Sequence, residues 1–323
     1  MSSRILITGA SGFVGHAVFT QLQQQASMLP VAAVRTGQAA LQSFRLCTDF
    51  NNVDQVAALV ADIDCVVHCA ARVHMMDEQA ADPLAAFREV NTFGTLNLAK
   101  QAAAAGVKRF IFVSTIKVNG ESTTLDKPFR ADNTPQPEDP YGISKAEAEA
   151  GLMQIAKDSK MEVVIIRPPL VYGPGVKANF AAMLKLARKN LPLPLGAIHN
   201  KRSLVALDNL VDLIITCIDH PKAANQTFLV SDDQDVSTTE LLQMMTVATG
   251  KKPWLLPVPA SWLRFAAKLT GKQAVIDRLC GNLQVDIEHT RATLGWTPQV
   301  SVEEGIKRCF NLPPAPSLPK GGK

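Results

Sequence analysis

Short apolar runs alternate with helix-period segments through the first half of the chain, and this alternation limits the possible folds more than any other feature. Ile5 to Thr8 opens the series, followed by Val14, Val18 and Leu22 at helical spacing. Further strand-like runs lie at Val31 to Val34, Asp64 to Cys69, Phe110 to Ser114 and Val163 to Arg167, with a shorter one near Phe44 to Cys47. Helical segments fall near Val53 to Val60, Pro83 to Ala105 and Ser144 to Lys157. A strand buried on both faces reads as an uninterrupted apolar run, and its alternation with helices calls for a parallel sheet covered on both sides, with right-handed crossovers. The pattern predicts an α/β chain built on a doubly wound parallel sheet.

The texture changes after Arg167, where Pro168, Pro169, Gly173, Pro174 and Gly175 break the alternation. We place a boundary there: residues 1–168 form a nucleotide-binding unit, and residues 169–312 form a smaller α/β lobe with segments returning to the first. The Pro-, Gly- and Lys-rich tail 313–323 is expected to be disordered. Within the lobe, helices are expected from about Asn179 to Lys189 and from Asp208 to Asp219, with a strand at Thr227 to Val230. Ser237-Thr238-Thr239-Glu240 and Ser301-Val302-Glu303-Glu304 both match the S/T-x-x-E capping box. Leu241, Met244 and Met245 stand at core spacing on a helix, and Trp254, Trp262 and Trp296 are expected to anchor the lobe.

With 47% hydrophobic and 19% charged residues, the chain has ordinary globular composition, which excludes disordered and fibrous classes. It has no run of ~18 uninterrupted apolar residues and no basic run suited to nucleic acid, so a cytoplasmic protein with neither a membrane nor a nucleic-acid partner is expected. Six scattered cysteines without CxxC pairs read as reduced thiols, and no metal site is expected. His68 and His74 read as packing residues. The charge is unevenly placed: no Asp or Glu precedes Asp49, whereas Arg4, Arg35 and Arg45 do. A strand and a glycine turn occupy this acid-free opening, which argues against a targeting peptide.

Gly9-Ala10-Ser11-Gly12-Phe13-Val14-Gly15 follows the first apolar run and opens the first helix. Glycines at this spacing permit a tight turn and close backbone approach, and a helix N-terminus offers N–H groups to a pyrophosphate. An NAD site places an acid about 20 residues beyond such glycines. Here the second strand ends on Arg35, which can receive a 2'-phosphate, so NADP(H) is preferred and NAD(H) is possible. Asp49 and Phe50 lie where a loop could hold the adenine.

Tyr141-Gly142-Ile143-Ser144-Lys145 places a phenol and an amine on one helix face. A neighbouring cation is expected to lower the phenol pKa and fit it for proton exchange with a carbinol or ketone oxygen. Upstream, Ser114-Thr115 ends a strand and offers a hydroxyl to the same oxygen.

These motifs, with Arg167-Pro168 through Val171-Tyr172-Gly173-Pro174, resemble the extended short-chain dehydrogenase/reductases, and more narrowly the nucleotide-sugar epimerase/dehydratase family. The resemblance implies a Rossmann domain with catalytic Thr115, Tyr141 and Lys145, a UDP-sugar substrate and a homodimer formed through the helices near Phe93 to Ala105 and Ser144 to Lys157. It also implies cofactor contacts at Cys69, Ala70, Ala71, Asn91, Ser114, Pro168 and Val171, and substrate contacts at Arg72, Lys117, Asn179 and Arg202, with Arg278 a second candidate for the diphosphate. Family 4,6-dehydratases carry Asp-Glu after the catalytic Thr, where this chain has Ile116-Lys117, so dehydration is not expected. Arg35 and Leu170 depart from the pattern of galactose epimerases. The stretches Ala71-Arg72-Val73-His74, Ser114 to Gly120 and Leu193 to Gly196 resemble an epimerase-like subgroup that includes reductases of UDP-4-keto-6-deoxy sugars in surface polysaccharide synthesis. The expected activity is therefore 4-ketoreduction. The alternatives are 4-epimerisation of a UDP-hexose or UDP-N-acetylhexosamine, and ketoreduction of a substrate that carries no nucleotide.

Overall fold

In the computed structural model, β1 (Ser3–Thr8) runs through the middle of the molecule, and its Ile5, Leu6 and Ile7 are all fully buried. The structure describes residues 2–35, 43–73, 82–271 and 273–311; Thr36, His74 and the tail 313–323 lie outside these. On one side β1 pairs in parallel with β2 (Met28–Val34), which pairs with β3 (Phe44–Leu46). On the other side come β4 (Cys65–His68), β5 (Arg109–Val113) and β6 (Glu162–Arg167), again all parallel. These are the runs that the sequence marks as strands.

Helices α1 (Phe13–Leu22), α2 (Val53–Val60), α3 (Pro83–Arg88) and α4 (Thr95–Ala104) follow in chain order, a π-helical turn at Glu89–Gly94 joining the last two. Next comes α5 (Pro140–Asp158), which buries Ser144, Lys145, Ala148, Glu149 and Leu152 along one stripe. Its start is fixed locally: the Asp139 carboxylate accepts from Gly142 N at 2.6 Å, and Pro140 occupies the first turn. One apolar layer puts α2, α4 and α5 residues such as Val56, Leu98 and Leu152 against the sheet. The opposite layer uses α1 together with α7 (Leu207–Asp219).

Beyond Arg167, β7 (Leu170–Tyr172) and β8 (Leu204–Ala206) pair in parallel as a separate two-stranded sheet. Between them lies α6 (Ala178–Lys189). The chain then returns: β9 (Gln226–Leu229) adds a seventh parallel strand beside β6, giving the order β3-β2-β1-β4-β5-β6-β9. The remaining helices are α8 (Thr238–Val247), α9 (Ala260–Thr270), α10 (Gln273–Cys280), α11 (Glu288–Leu294) and α12 (Val302–Asn311). Tyr172, Phe180, Leu242, Met245 and Ile306 form the core of this lobe. Both bonds of the Ser237–Glu240 capping box are formed at α8.

The tryptophans correct one expectation. Trp296 anchors the lobe, buried with its indole N–H donating to Asp212 at 2.7 Å, but Trp254 and Trp262 are exposed. The buried residue of α9 is Ala267, on the face opposite Trp262.

All six cysteines are free thiols. Among the described residues no cluster of His, Cys, Asp and Glu could hold a metal, and no helix is long and apolar enough to cross a membrane.

Candidate active site

The strand order reverses between β1 and β4, and a doubly wound sheet binds its ligands in the crevice at such a point. The turn after β1 is built for close approach. Gly9 has φ +67°, and a Cβ there would lie 2.8 Å from Ala70 N and 2.9 Å from the Cys69 carbonyl carbon. A Cβ on Gly15 would lie 2.3 Å from the Gly9 carbonyl oxygen. The two glycines thus let β1, α1 and the Cys69-Ala70-Ala71 segment meet backbone to backbone. Gly12 is the N-cap of α1 and offers no side-chain acceptor to its first turn, and Ser11 is exposed beside it. These features fit a dinucleotide pyrophosphate.

Around this cradle, Arg35 is exposed directly after β2, and Asp49 and Phe50 lie between β3 and α2. The Phe50 ring edge meets His68 at 5.8 Å. His68 is sequestered between the Thr8 and Thr95 hydroxyls, at 2.7 and 2.9 Å, and burial pushes its pKa down to about 3. It is a neutral packing group.

Asn91, buried in the π-helical turn, accepts from Arg72 N at 2.8 Å and donates to Arg72 O and the Ser144 hydroxyl, at 3.0 and 3.1 Å. One side chain therefore ties the loop after β4 to the first turns of α5. The Arg72 guanidinium lies over the Phe87 ring.

On α5, Tyr141 is partly buried against Phe87, and Lys145 is fully enclosed. The Lys145 Nζ donates to the Val113 carbonyl at 2.8 Å and stands 3.8 Å above the Phe112 ring centre. It therefore sits at the end of β5, beside Ser114 and Thr115. The electrostatics differ from expectation. Burial, with a smaller contribution from Asp139, pushes the Tyr141 phenol up to about 12. Burial likewise pulls Lys145 down to about 7, opposed by Glu149. The spacing does set both groups on one helix face, but the amine turns to a carbonyl and a ring, and loss of water outweighs its effect on the phenol.

Thr115 is nearly buried and caps a short 3-10 turn, its hydroxyl accepting from Lys117 N at 3.3 Å. The Lys117 amine is engaged by Asp139 at 2.6 Å and Glu121 at 2.8 Å, so it braces the start of α5. Pro168 accepts from Ile116 N, and Val171 lies on β7.

Sequence reasoning passed over a buried network beneath these groups. Glu149 accepts a hydrogen bond from the Ser114 hydroxyl and a forked contact from Arg167, whose Nη2 is 2.6 Å away, and Arg167 also donates to Asn119 at 3.0 Å. The signal was present, since Tyr141, Lys145 and Glu149 repeat every fourth residue.

In the second lobe, Arg202 donates to the Arg278 and Gly281 carbonyls, at 3.0 and 3.3 Å, so the two candidate diphosphate arginines are neighbours. Burial lowers the Arg202 pKa. Asn179 is exposed in the first turn of α6, next to Ala178, whose φ of +56° is unusual for a non-glycine residue.

A family model described as the NAD dependent epimerase/dehydratase family matches residues 5–231. The chain belongs to that family. The matched segment includes the glycine turn, Thr115, Tyr141, Lys145 and Arg202. A UDP-glucose 4-epimerase from Vibrio cholerae is 52% identical over 310 residues, spanning 95% of this chain and 94% of the relative. The fold matches a UDP-N-acetylglucosamine 4-epimerase from Bacillus cereus with a TM-score of 0.77 at 19% identity, covering 98% and 99% of the two chains. It also matches a UDP-glucose 4-epimerase from Thermotoga maritima, solved with UDP-glucose, with a TM-score of 0.75 at 23% identity, covering 95% and 97%. Membership in this family makes the chain an NAD-dependent enzyme.

Proposed function

We propose that this enzyme interconverts the C4 epimers of a UDP-hexose or UDP-N-acetylhexosamine in the cytoplasm. The observation that carries this reading is the 52% identity over 310 residues to a UDP-glucose 4-epimerase, joined to the Tyr141–Lys145 face of α5. The reading replaces 4-ketoreduction as the first choice.

The Gly9–Gly15 turn and the Cys69-Ala70-Ala71 segment would hold NAD, which when bound would supply a hydride acceptor. The chain's own groups do the rest. With its pKa at about 12, Tyr141 is a neutral phenol at physiological pH and can donate a proton to a keto oxygen at C4. Taking the proton back from a C4 hydroxyl requires positive charge near the phenol, and Lys145 supplies it in the protonated fraction that its pKa of about 7 leaves. Thr115 orients O4, and the Ser114–Glu149–Arg167 network fixes the strand end that carries it. Arg202 and Arg278 hold the diphosphate, and Asn179 contacts it from α6. The π-helical turn and α4, with Phe93 exposed, carry the homodimer contact together with α5.

Arg35 favours a second reading. It is exposed at the end of β2, where a 2'-phosphate would lie, and so supports NADPH with net reduction of a UDP-4-keto-6-deoxy sugar. Cofactor released from the purified, denatured protein separates the two. Tightly retained NAD, with no consumption of added NADPH in the presence of the keto sugar, supports the epimerase. An empty site and stoichiometric NADPH oxidation support the reductase.

A further inference from the structure

The exposed tryptophan of α9 belongs to a pattern. Trp262, Phe265 and Leu269 are 71%, 67% and 74% exposed and recur at i, i+3 and i+7, which places them on one stripe of the helix. The buried Ala267 lies on the other side, so the stripe points away from the protein. Arg264 and Lys268 form the flank between the two faces, both exposed. Val275 on the adjoining α10 and Trp254 before α9 are also exposed.

Charge selects the occupant. Between Glu240 and Asp277 the chain contains no Asp or Glu, whereas Lys251, Lys252, Arg264, Lys268 and Lys272 all fall there. A second copy of this face would bring like charges together, which disfavours self-association. Leu269 and Val275 cannot stack on bases, which disfavours nucleic acid. An aromatic and aliphatic stripe flanked by Arg and Lys, on a helix too short to span a bilayer, fits an anionic bilayer surface.

We infer that α9 docks the enzyme on anionic lipid, with Trp262, Phe265 and Leu269 entering the headgroup boundary and the cations meeting lipid charge. The expectation of no membrane partner rested on the lack of a spanning segment and does not reach a helix that lies in the interface. The docking element ends beside the substrate arm, because α10 carries Arg278, whose carbonyl holds Arg202.

The test is flotation of the full chain with vesicles of phosphatidylcholine alone or mixed equally with phosphatidylglycerol. Recovery with anionic vesicles should exceed that with neutral ones by about tenfold and fall as salt is raised. A Trp262→Glu/Phe265→Glu variant should lose flotation while keeping its circular dichroism and elution volume, and Arg264→Glu/Lys268→Glu should lose the preference for anionic lipid. The proposal is overturned if wild type fails to float, or if the first variant floats like wild type. It is equally overturned if that variant only changes oligomer size, or if oligonucleotide binding appears in place of vesicle binding.

Discussion

Lys145 Nζ donates to the carbonyl oxygen of Val113 at 2.8 Å, a bond that pins the Tyr141–Lys145 face of α5 to the end of β5. It positions the amine but leaves a buried cation, and burial pulls its pKa down to about 7 from the usual 10.5. Between these values the unfolded chain binds the proton and the folded chain releases it, so folding stability gains from Lys145 deprotonation as pH rises from about 7 towards 10.5. Replacing Lys145 with Met should therefore stabilise the fold most below pH 7, by on the order of 5 kcal/mol, and progressively less above it. Urea denaturation of both proteins at acid and alkaline pH checks the sign.

Tyr141→Phe keeps the ring against Phe87 and removes only the proton donor. Activity should fall by about 10²–10⁴-fold with little change in thermal midpoint. Steady-state kinetics with a melting curve separates lost chemistry from lost fold.

Glu149 and Arg167 are both buried, with Nη2 and Oε2 2.6 Å apart. Glu149→Gln strands the guanidinium and should destabilise the protein by about 3–5 kcal/mol, whereas Glu149→Leu combined with Arg167→Met should recover much of that loss. Equilibrium unfolding of the single and double variants measures it.

Gly15→Ala places a Cβ 2.3 Å from the Gly9 carbonyl and forces the turn open. Cofactor affinity should drop by more than about tenfold, as a lost pair of charge-assisted backbone bonds implies. Titration with NAD, followed by fluorescence or calorimetry, reads this directly.

Arg35→Asp restores the acid that ribose-binding sites carry after the second strand. If Arg35 meets a 2'-phosphate, the ratio of NADP to NAD affinity should fall by about a hundredfold, equivalent to ~3 kcal/mol. An unchanged ratio would assign Arg35 to solvent.

Much of this was legible in the sequence because the relevant signals are local. Parallel strands such as Val163 to Arg167 advertise two-sided burial through unbroken apolar runs, and the glycine turn and the Tyr141–Lys145 spacing each lie within one turn or helix. What escaped was contact and solvation. Arg167 reaches back to Asn119, and Tyr172 donates to Asp232 at 2.8 Å, joining residues that no periodicity pairs. The phenol pKa was misjudged because spacing fixes a helix face and says nothing of how dry that face is. Trp262 and Trp296 look alike in sequence, since an aromatic side chain is apolar whichever way its helix turns.

The most direct measurement is NMR of UDP-glucose and UDP-N-acetylglucosamine incubated with the purified holoenzyme without added reductant. The expected result is appearance of the C4 epimer of at least one sugar, no net change in bound cofactor, and its loss in Tyr141→Phe. Unchanged sugars in the presence of bound NAD, or epimerisation at the wild-type rate by Tyr141→Phe, would contradict the assignment of C4 chemistry to this site.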